Sequence, residues 1–533
     1  MQPKLDLTLL EQAVGQKLLI AFDGKDALPA DLLHALAAYR PAGVTLFRSL
    51  NLGAPEQVLH LTLLLQQAAR DAGLPALLIG VDQEGGQLMA IGEGVTQLPG
   101  NMALGATRSP RLAKQAGEVL GRELSAMGVN VDYAPSCDVN LNPANPVIGI
   151  RSFGEDPALV GALAAALIDG LQSANVAATA KHFPGHGDTA SDSHHGIPSV
   201  PHVLERLRQV ELPPFAAAVQ AGARLVMSAH IALPAVDGRA DLPATLSPAI
   251  LQGLLRQELG FQGVIVTDAM DMRAIHQGDL LGEDALRAAQ AGIDLLLLTA
   301  NPEDQRRVYA RLLAAAQDGS LPRASLVDSV RRVLELKRWL SEAPARPDLT
   351  VVGCAAHRAV ADEIAAASLT RVCDRANLLP LRLGPQQRIA VVLPRPADLT
   401  PADTSSYITP QLAPFLRRYH PAVDEFLIPL APSEGEVADI LAQIRGHDLV
   451  IIGTINAFNQ PGQAALVQSA LAAGISTIVV ALRLPYDIIA FPQAPTYLCT
   501  YSLLEPSMQA LAAALFGQAG FPGQLPVKNP SIA

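Results

Sequence analysis

Short apolar runs recur through the first part of the chain, and an alanine- and leucine-rich stretch typical of a helix separates each run from the next. The runs are continuous rather than alternating, which is the pattern of strands that are covered on both faces. Eight strands are predicted, over residues 18–22, 43–47, 76–81, 129–133, 176–180, 225–228, 263–267 and 294–298. Eight strand–helix units in about 300 residues predict a (β/α)8 barrel.

The pattern changes at a proline-rich, polar segment near residues 341–347, which predicts a linker. A helix is predicted over 355–369, followed by strands over 388–393, 448–453, 477–482 and 496–501 that alternate with helices. We therefore expect an α/β protein with a barrel at 1–342, a linker and connecting helix at 343–369, and an αβα sandwich with a parallel sheet at 370–533. The second domain is expected to pack against the barrel mouth or to mediate dimerisation.

Composition fits a large buried core, since 50% of the 533 residues are hydrophobic and only 17% are charged. The net charge of -11 and the lack of any basic run argue against a nucleic-acid partner. The most apolar stretch, 159–180, is interrupted by Asp169, Gln172, Ser173 and Asn175. It therefore predicts a helix that leads into a strand, not a membrane span of ~20 apolar residues.

The cellular context is predicted from the first residues and from the cysteines. The chain starts without a basic segment followed by an apolar one, so no secretory signal is expected. Its four cysteines, Cys137, Cys354, Cys373 and Cys499, have neither metal-binding nor disulfide-scaffold spacing. We expect reduced thiols in a cytoplasmic protein that is a monomer or a homodimer.

Ionisable side chains stand at the carboxyl ends of the predicted barrel strands, where barrel active sites collect. They are Asp23, Asp82, Asp132, Lys181 with His182, His230 and Asp268. Any one of them is equally compatible with a residue that caps a loop. All six positions together indicate a functional site at this end of the barrel.

The loop at 181–194 concentrates a lysine, three histidines and two aspartates in one segment. If Asp192 and His194 both point into the site, the carboxylate orients the imidazole and raises its pKa by stabilising the imidazolium. Such a histidine is suited to act first as a general acid and then as a general base. A solvated loop pair is the alternative interpretation. Pro184, Gly185 and Gly187 favour a loop that turns tightly or closes over a substrate.

Several of these groups together predict a pocket for a small polyhydroxylated ligand. Asp82 can accept hydrogen bonds from two adjacent hydroxyls, while Lys181 and His182 supply donors beside the barrel axis. Arg151 adds a forked donor. Asp268, directly after a buried strand, is suited to act as a nucleophile or an ion-pair partner. A sugar fits this description.

A zinc site is the competing interpretation of the same loop, because its side chains include zinc-binding groups. These are His182, His186, His194, His195, Asp188 and Asp192. No His-x-His motif ends the first strand, no cysteine joins the cluster, and no dinucleotide-type glycine loop follows a strand. We therefore expect neither a metal nor an organic cofactor.

Four segments resemble the family 3 glycoside hydrolases, specifically the β-N-acetylglucosaminidase branch. They are residues 82–86, 151–154, 181–194 with Pro198, and 267–268, in the expected order and spacing. Residues 480–487 and 523–527 are similar to parts of that family's C-terminal sandwich domain. The resemblance implies the same two-domain architecture for nearly the whole chain.

The resemblance also implies an activity, the retaining removal of terminal β-linked N-acetylglucosamine from cell-wall or chitin-derived oligosaccharides. Asp268 matches the nucleophile that gives a covalent glycosyl-enzyme, and His194, oriented by Asp192, matches the acid/base. A histidine in this role departs from the usual pair of carboxylates. The residues that match ligands of the terminal sugar are Asp82, Arg151, Lys181 and His182, with His230 as a further candidate.

Two positions depart from the family pattern, which commonly has arginines where this chain has Gln87 and Ala90. The sugar pocket has therefore lost positive charge near Asp82, and a β-glycosidase of altered sugar specificity is an alternative. A β-N-acetylglucosaminide phosphorylase is a second alternative, in which phosphate replaces water as the acceptor, because a neutral histidine does not repel an anion. Outside catalysis, the alternative is a sugar-binding protein without turnover, which would have no use for a nucleophile and an acid.

Overall fold

The structure, a computed structural model, describes residues 7–189, 196–342 and 344–528. The strands of its first part are β1 (Leu18–Ile20), β2 (Gly43–Thr45), β3 (Leu78–Val81), β4 (Gln83–Gly85), β5 (Leu88–Met89), β6 (Val131–Asp132), β7 (Ala177–Phe183), β8 (Leu225–Ser228), β9 (Val264–Thr267) and β10 (Leu296–Leu298). Eight of them pair in the order β10-β1-β2-β3-β6-β7-β8-β9, and all seven of these pairings are parallel. A bridge between Val266 and Leu295 joins the two ends. The predicted (β/α)8 barrel is confirmed.

Helices follow the barrel strands and cover their outer faces. They are α1 (Leu7–Gly15), α2 (Ala30–Ala38), α3 (Pro55–Asp71), α4 (Asn101–Thr107), α5 (Pro110–Ala126), α6 (Pro157–Ser173), α7 (Leu204–Gln209), α8 (Leu212–Gln220), α9 (Pro234–Asp237), a π-helix (Ala249–Glu258), α10 (Leu281–Ala291), α11 (Pro302–Asp318) and α12 (Arg323–Ser341). Local sequence explains their ends; at α6 the Asp156 side chain accepts hydrogen bonds from the first-turn amides, and Pro157 occupies the first helical position.

Strand β7 is longer than the sequence predicts. We expected it to end at residue 180 and a loop to begin at Lys181, but β7 continues to Phe183. The extension is held from both sides. Phe183 pairs with Ser228 of β8, and Lys181 forms a parallel bridge with Ser136, which lies beyond the end of β6. Lys181 and His182 are consequently fixed on the barrel wall rather than in a loop.

The second part is an α/β unit built on a six-stranded sheet. Its strands are β11 (Thr370–Asp374), β12 (Ile389–Pro394), β13 (Val423–Ile428), β14 (Leu449–Thr454), β15 (Thr477–Ala481) and β16 (Thr496–Cys499), and its helices are α13 (Ala355–Ser368), α14 (Ala413–Leu416), α15 (Glu434–Ile444), α16 (Pro461–Ala472) and α17 (Glu505–Leu515). The strand order is β11-β16-β15-β14-β12-β13. Every pairing is parallel except that of β11 with β16.

The predicted parallel sheet is therefore wrong in one respect, since the sheet is mixed. Two strands, β11 and β13, were missed altogether. Both lie at sheet edges, where one side is open, and several of their residues are only partly buried. Charged residues such as Asp424 and Glu425 interrupt the apolar run that reveals a central strand. The predicted domain limits at 342 and 370 stay predictions.

The two parts share buried contacts. His357 of α13 lies with its Nδ1 2.8 Å from Glu123 Oε1 of α5, and both side chains are buried. Near the end of the described chain, the amide of Gln524 donates to Ala106 O (3.0 Å). The second domain is thereby fixed against the barrel. Among the described residues, no helix is long and apolar enough to cross a membrane.

Candidate active site

A cavity of about 620 Å³ opens at the carboxyl ends of the barrel strands. Five predicted site residues line it, namely Asp82, Arg151, Lys181, His182 and Asp268. The remaining walls come from the loop after β2, the segment after β9 and a loop of the second domain. The cavity thus brings together five of the residues that the sequence nominated.

The floor of the cavity is a buried network of two cations and two carboxylates. Lys181 Nζ is 2.6 Å from both Asp82 Oδ1 and Glu84 Oε1. Arg151 donates to both oxygens of Glu84, with Nη2–Oε1 at 2.7 Å and Nε–Oε2 at 3.1 Å. Of these four side chains only Asp82 is substantially exposed, at 30%. Asp82 is therefore the acceptor that the network offers to a ligand.

Charge pairing keeps these groups ionised despite their burial. Burial alone would raise the pKa of Glu84, but Arg151 and Lys181 lower it to about 2. Burial likewise opposes the charge on Lys181, yet Asp82 and Glu84 raise its pKa above the ordinary value. The floor carries fixed charges that a sugar hydroxyl can meet without reorganising them.

Asp138 organises the histidines on one wall of the cavity. Its Oδ2 lies 2.7 Å from His182 Nδ1, and its Oδ1 accepts the backbone N–H of His186 at 2.6 Å. Burial would raise the pKa of Asp138, but the two histidines hold it below its ordinary value. His182 Nε2 is then 3.3 Å from Arg151 Nη2, so this ring is oriented from both sides.

Glycine is required where the 181–189 segment passes the barrel wall. A Cβ at Gly187 would collide with the carbonyl of Val139. This close approach places the His186 amide over Asp138. Packing against the barrel wall therefore requires glycine at position 187.

Asp268 follows β9 directly and carries an ionised carboxylate into the cavity. Its Oδ1 accepts the backbone N–H of Ala269 at 2.8 Å. Burial would raise its pKa, but His182, His230, that N–H and Lys181 together hold the pKa below the ordinary value. In the part of the chain that the structure describes, no cation forms a direct ion pair with it. The carboxylate is charged and open to the cavity.

Three of the predicted strand-end residues do not line the cavity. Asp23 is exposed outside it. Asp132 is fully buried below the floor, where it accepts the Gln83 amide at 3.0 Å and burial raises the pKa of its carboxyl well above the usual range. His230 is buried beside the Asp268 segment, with Nδ1 2.8 Å from Thr245 Oγ1 and Nε2 3.1 Å from the carbonyl of Ala269.

Two catalytic candidates, Asp192 and His194, lie outside the described residues, as does His195. Their predicted roles stay predictions. The segment that leads to them ends at Thr189, whose Oγ1 is 2.7 Å from His186 Nδ1. Burial lowers the pKa of His186 to about 4, so this cavity histidine is neutral at physiological pH.

The second domain supplies one wall of the cavity through residues 398–407, named here the 398–407 loop. The loop is attached where the chain departs from the family pattern. The backbone carbonyl of Gln87 accepts hydrogen bonds from the amide and hydroxyl of Thr404, both at 3.0 Å, and that hydroxyl lies 3.1 Å from the Met89 amide. Arg483 donates to the Gln87 side chain and, at 2.9 Å, to Asp403.

Positive charge near Gln87 and Ala90 is supplied by an arginine from another loop. Arg48, in the loop after β2, lines the cavity and donates to Met89 O at 3.0 Å. Its guanidinium lies over the ring of Tyr407, 3.9 Å from the ring centroid. No local sequence pattern predicts this compensation, because Arg48 and Tyr407 lie far apart along the chain.

Asp188, His202 and Glu211 form a group whose side chains are of types that can bind a metal ion. Single ligand atoms of Asp188, His202 and Glu211 lie within 4.8 Å of one another. His202 Nε2 is 2.6 Å from Asp188 Oδ2, whereas both carboxylate oxygens of Glu211 accept from Arg206 at 2.9 Å. The arginine already neutralises the most buried carboxylate of the group. Only Asp188 belongs to the set that the sequence suggested for zinc.

Sequence reasoning missed Glu84, Asp138, Arg48 and Tyr407. Glu84 had a signal, since it stands two residues after Asp82 and residues i and i+2 of an extended segment share a face. Asp138 stands beyond the end of β6, and the prediction took Asp132 as the strand-end carboxylate instead. The other two come from distant loops and carry no local signal.

Comparison with known proteins agrees with this architecture. Residues 9–336 match the family model of the glycosyl hydrolase family 3 N-terminal domain. The chain is 32% identical to the β-hexosaminidase A of Pseudoalteromonas piscicida, over 97% of this chain and 96% of the relative. It is 30% identical to a β-N-acetylglucosaminidase/β-glucosidase of Cellulomonas fimi, over 85% and 83% of the two chains.

A solved structure is similar over the whole chain. The family 3 β-N-acetylglucosaminidase from Paenibacillus sp. str. FPU-7 superposes with a TM-score of 0.91 at 38% identity, covering 97% of this chain and 98% of that one. The barrel, its cavity and these similarities define a carbohydrate-cleaving enzyme. The chain belongs to glycoside hydrolase family 3.

Proposed function

We propose that this glycoside hydrolase is a retaining exo-β-N-acetylhexosaminidase that removes terminal β-linked N-acetylglucosamine from cell-wall or chitin-derived oligosaccharides. The single observation that carries the proposal is Asp268, an ionised carboxylate that opens into a cavity floored by Asp82, Lys181 and Arg151. The names of the relatives support the sugar class.

The reaction proceeds by two displacements. In the first, an oxygen of Asp268 bonds to the anomeric carbon while the glycosidic C–O bond breaks and the leaving oxygen takes a proton from the general acid. In the second, water gives a proton to the same group, now a base, and bonds to the anomeric carbon as the bond to Asp268 breaks. The configuration at the anomeric carbon is retained.

His194, oriented by Asp192, is the proposed acid/base. His186, in the same segment, is poorly suited to that role, because burial lowers its pKa to about 4 and leaves the imidazole neutral at neutral pH. The proposed ligands of the terminal sugar are Asp82, Arg151, Lys181 and His182. His230, the further candidate, is proposed to position the segment after Asp268, since its Nε2 lies 3.1 Å from the carbonyl of Ala269.

The sugar class is tested with p-nitrophenyl β-N-acetylglucosaminide and p-nitrophenyl β-glucoside, each with and without phosphate. We expect faster release from the acetamido substrate, no acceleration by phosphate, and an initial product of β configuration by NMR. A sugar 1-phosphate product would make the enzyme a phosphorylase, and an α product would exclude the retaining mechanism.

A β-glycosidase of broader specificity is the second candidate. It is favoured by the double name of the Cellulomonas fimi relative and by the replacement of the family's arginines with Gln87 and Ala90. Comparable rates on the two chromogenic substrates would support it. Rates on the glucoside at least about 10-fold lower, equivalent to roughly 1.4 kcal/mol in transition-state stabilisation, would exclude it.

The nucleophile is tested by Asp268→Asn. The amide keeps the shape and its contact with the Ala269 amide but cannot form the covalent intermediate, so we expect kcat to fall by at least ~10³-fold. Binding of N-acetylglucosamine, measured by calorimetry, should persist. Wild-type protein that binds the sugar but turns over no substrate would favour the sugar-binding alternative.

A further inference from the structure

Tyr407 presents an aromatic ring at the rim of the cavity. It stands in the 3-10 turn Ser405–Tyr407 of the 398–407 loop, and 59% of its surface is exposed. Ligand pockets are typically lined by hydrophobic and aromatic side chains. This ring is open although it belongs to the wall of the cavity that holds Asp268.

A cation covers one face of the ring. The Arg48 guanidinium lies over it at 3.9 Å from the centroid, a cation–π contact that fixes the orientation of the ring. The exposed fraction therefore belongs mainly to the opposite face and the edge. Tyr419, the other tyrosine exposed above 40%, differs because its ring is stacked on Phe516 away from the cavity.

The ring is also held in place before any ligand arrives. Its loop is attached to the barrel through Thr404 and through the Arg483–Asp403 ion pair, whose side chains are buried. Within the loop, Asp398 accepts hydrogen bonds from the amide (2.8 Å) and hydroxyl (2.7 Å) of Ser406, the residue next to Tyr407. A preorganised platform costs little entropy when it binds.

We propose that Tyr407 is the stacking platform for the sugar ring on the leaving-group side of the scissile bond. The inference rests on the proposed function, which places the terminal sugar on the buried floor made by Lys181 and Arg151. The next ring must then lie toward the exposed rim, where Tyr407 stands. The face of an aromatic ring carries partial negative charge, and it attracts the partially positive C–H groups on one face of a hexopyranose.

The assignment gives the second domain a role in substrate choice. Oligosaccharides, whose leaving group is a pyranose, gain the stacking contact, whereas glycosides of small alcohols do not. Tyr407 acts on binding of the leaving group and not on the bond-breaking groups. Its loss should therefore change the preference between substrates more than it changes turnover of a substrate without a second ring.

The test compares N,N′-diacetylchitobiose with methyl N-acetyl-β-glucosaminide, which has an alkyl leaving oxygen but no second ring. We expect Tyr407→Ala to lower the ratio of kcat/KM for the disaccharide to kcat/KM for the methyl glycoside by about 10-fold, the effect of losing one stacked ring. Tyr407→Phe should keep the ratio within about 2-fold. Tyr419→Ala is the matched control for loss of an exposed tyrosine.

An equal fall on both substrates, or an unchanged ratio, would overturn the proposal. A second measurement does not depend on turnover. On the Asp268→Asn background, Tyr407→Ala should weaken binding of the disaccharide about 10-fold and leave binding of free N-acetylglucosamine within about 2-fold. If wild type cleaves neither substrate while this difference in binding persists, the proposed hydrolysis fails and the platform stands. If Asp268→Asn bound the disaccharide equally well with and without Tyr407→Ala, the platform would be refuted.

Discussion

Glu84 illustrates how much a single buried residue can decide. Its carboxylate lies between Arg151 and Lys181, with only 1% of the side chain exposed. Each cation has lost its hydration and is stabilised by this one shared partner, with Asp82 as the second acceptor for Lys181. Glu84 does not line the cavity itself, yet the two cations that we propose as sugar ligands depend on it for their positions.

Replacement of Glu84 by alanine should therefore destabilise the fold by about 3–5 kcal/mol, because two buried cations are left without their shared partner. Denaturant unfolding monitored by circular dichroism measures the change. Glu363→Ala is the matched control, since Glu363 pairs with Arg111 at 2.6 Å on the surface and its loss should have little effect. Similar effects of the two substitutions would contradict the assigned role of Glu84.

His186 should make the protein less stable in acid. Its pKa is lowered by burial to about 4 in the folded state, against about 6.5 in an unfolded chain. The unfolded state therefore binds a proton first, so the stability present above pH ~6.5 is lost progressively as the pH falls toward 4, by up to about 3 kcal/mol. His186→Gln should reduce the loss in stability between pH 7.5 and 4.5. His60→Gln is the control, because it removes an exposed imidazole without changing a buried site.

At the scale of elements, the 398–407 loop and the β4–β5 hairpin act as one unit. The hairpin carries Gln87 at its turn, and the amide and hydroxyl of Thr404 both donate hydrogen bonds to the Gln87 carbonyl. Position 87, where an arginine is common in the family, has become an attachment point between domains. Gln87 thus takes part in holding this wall of the cavity.

Loss of the Thr404 hydroxyl should weaken that attachment. Thr404→Val leaves the Met89 amide without this acceptor and should lower the free energy of unfolding by about 1–2 kcal/mol. Thr400→Val is a control in the same loop, because the buried Thr400 hydroxyl has no hydrogen-bond partner among the described residues. Removing that hydroxyl should leave stability unchanged or raise it slightly; equal losses for both variants would contradict the attachment.

At the scale of the whole molecule, the two domains share apolar cores. Met102, Ala103 and Ile150, which precede the linker, belong to the same buried cluster as Tyr486 and Val527 of the second part. Conversely, Ile364 of α13 packs into the main cluster of the barrel. Neither domain can unfold without exposing apolar surface that belongs to the other.

Thermal unfolding should consequently show one calorimetric transition rather than two. Apolar surface shared across the boundary couples the two parts, so the ratio of van't Hoff to calorimetric enthalpy should lie near one. Differential scanning calorimetry provides the measurement, and His357→Ala should lower the Tm without splitting the transition. Two separate transitions in wild type would show that the shared core contributes little to coupling.

The sequence by itself determined the architecture and half of the site. Continuous apolar runs indicate strands covered on both faces, and eight of them alternating with helices in about 300 residues favour a closed parallel barrel with helices outside. Residues at the ends of those strands must then meet at one mouth. That is why Asp82, Lys181 and Asp268 could be nominated from their positions alone. The edge strands β11 and β13 were missed because half-exposed strands lack the continuous run.

The tertiary structure decided which groups act together. Asp132 and Asp138 are both acidic residues near the end of β6, but only the fold shows that the first is buried below the floor and the second holds His182. The same holds for Arg48 and Tyr407, which meet across two domains. Hydrophobic periodicity indicates which face of a helix or strand is buried. These contacts instead depend on the paths of loops and on how the domains pack, and no local sequence pattern carries that information.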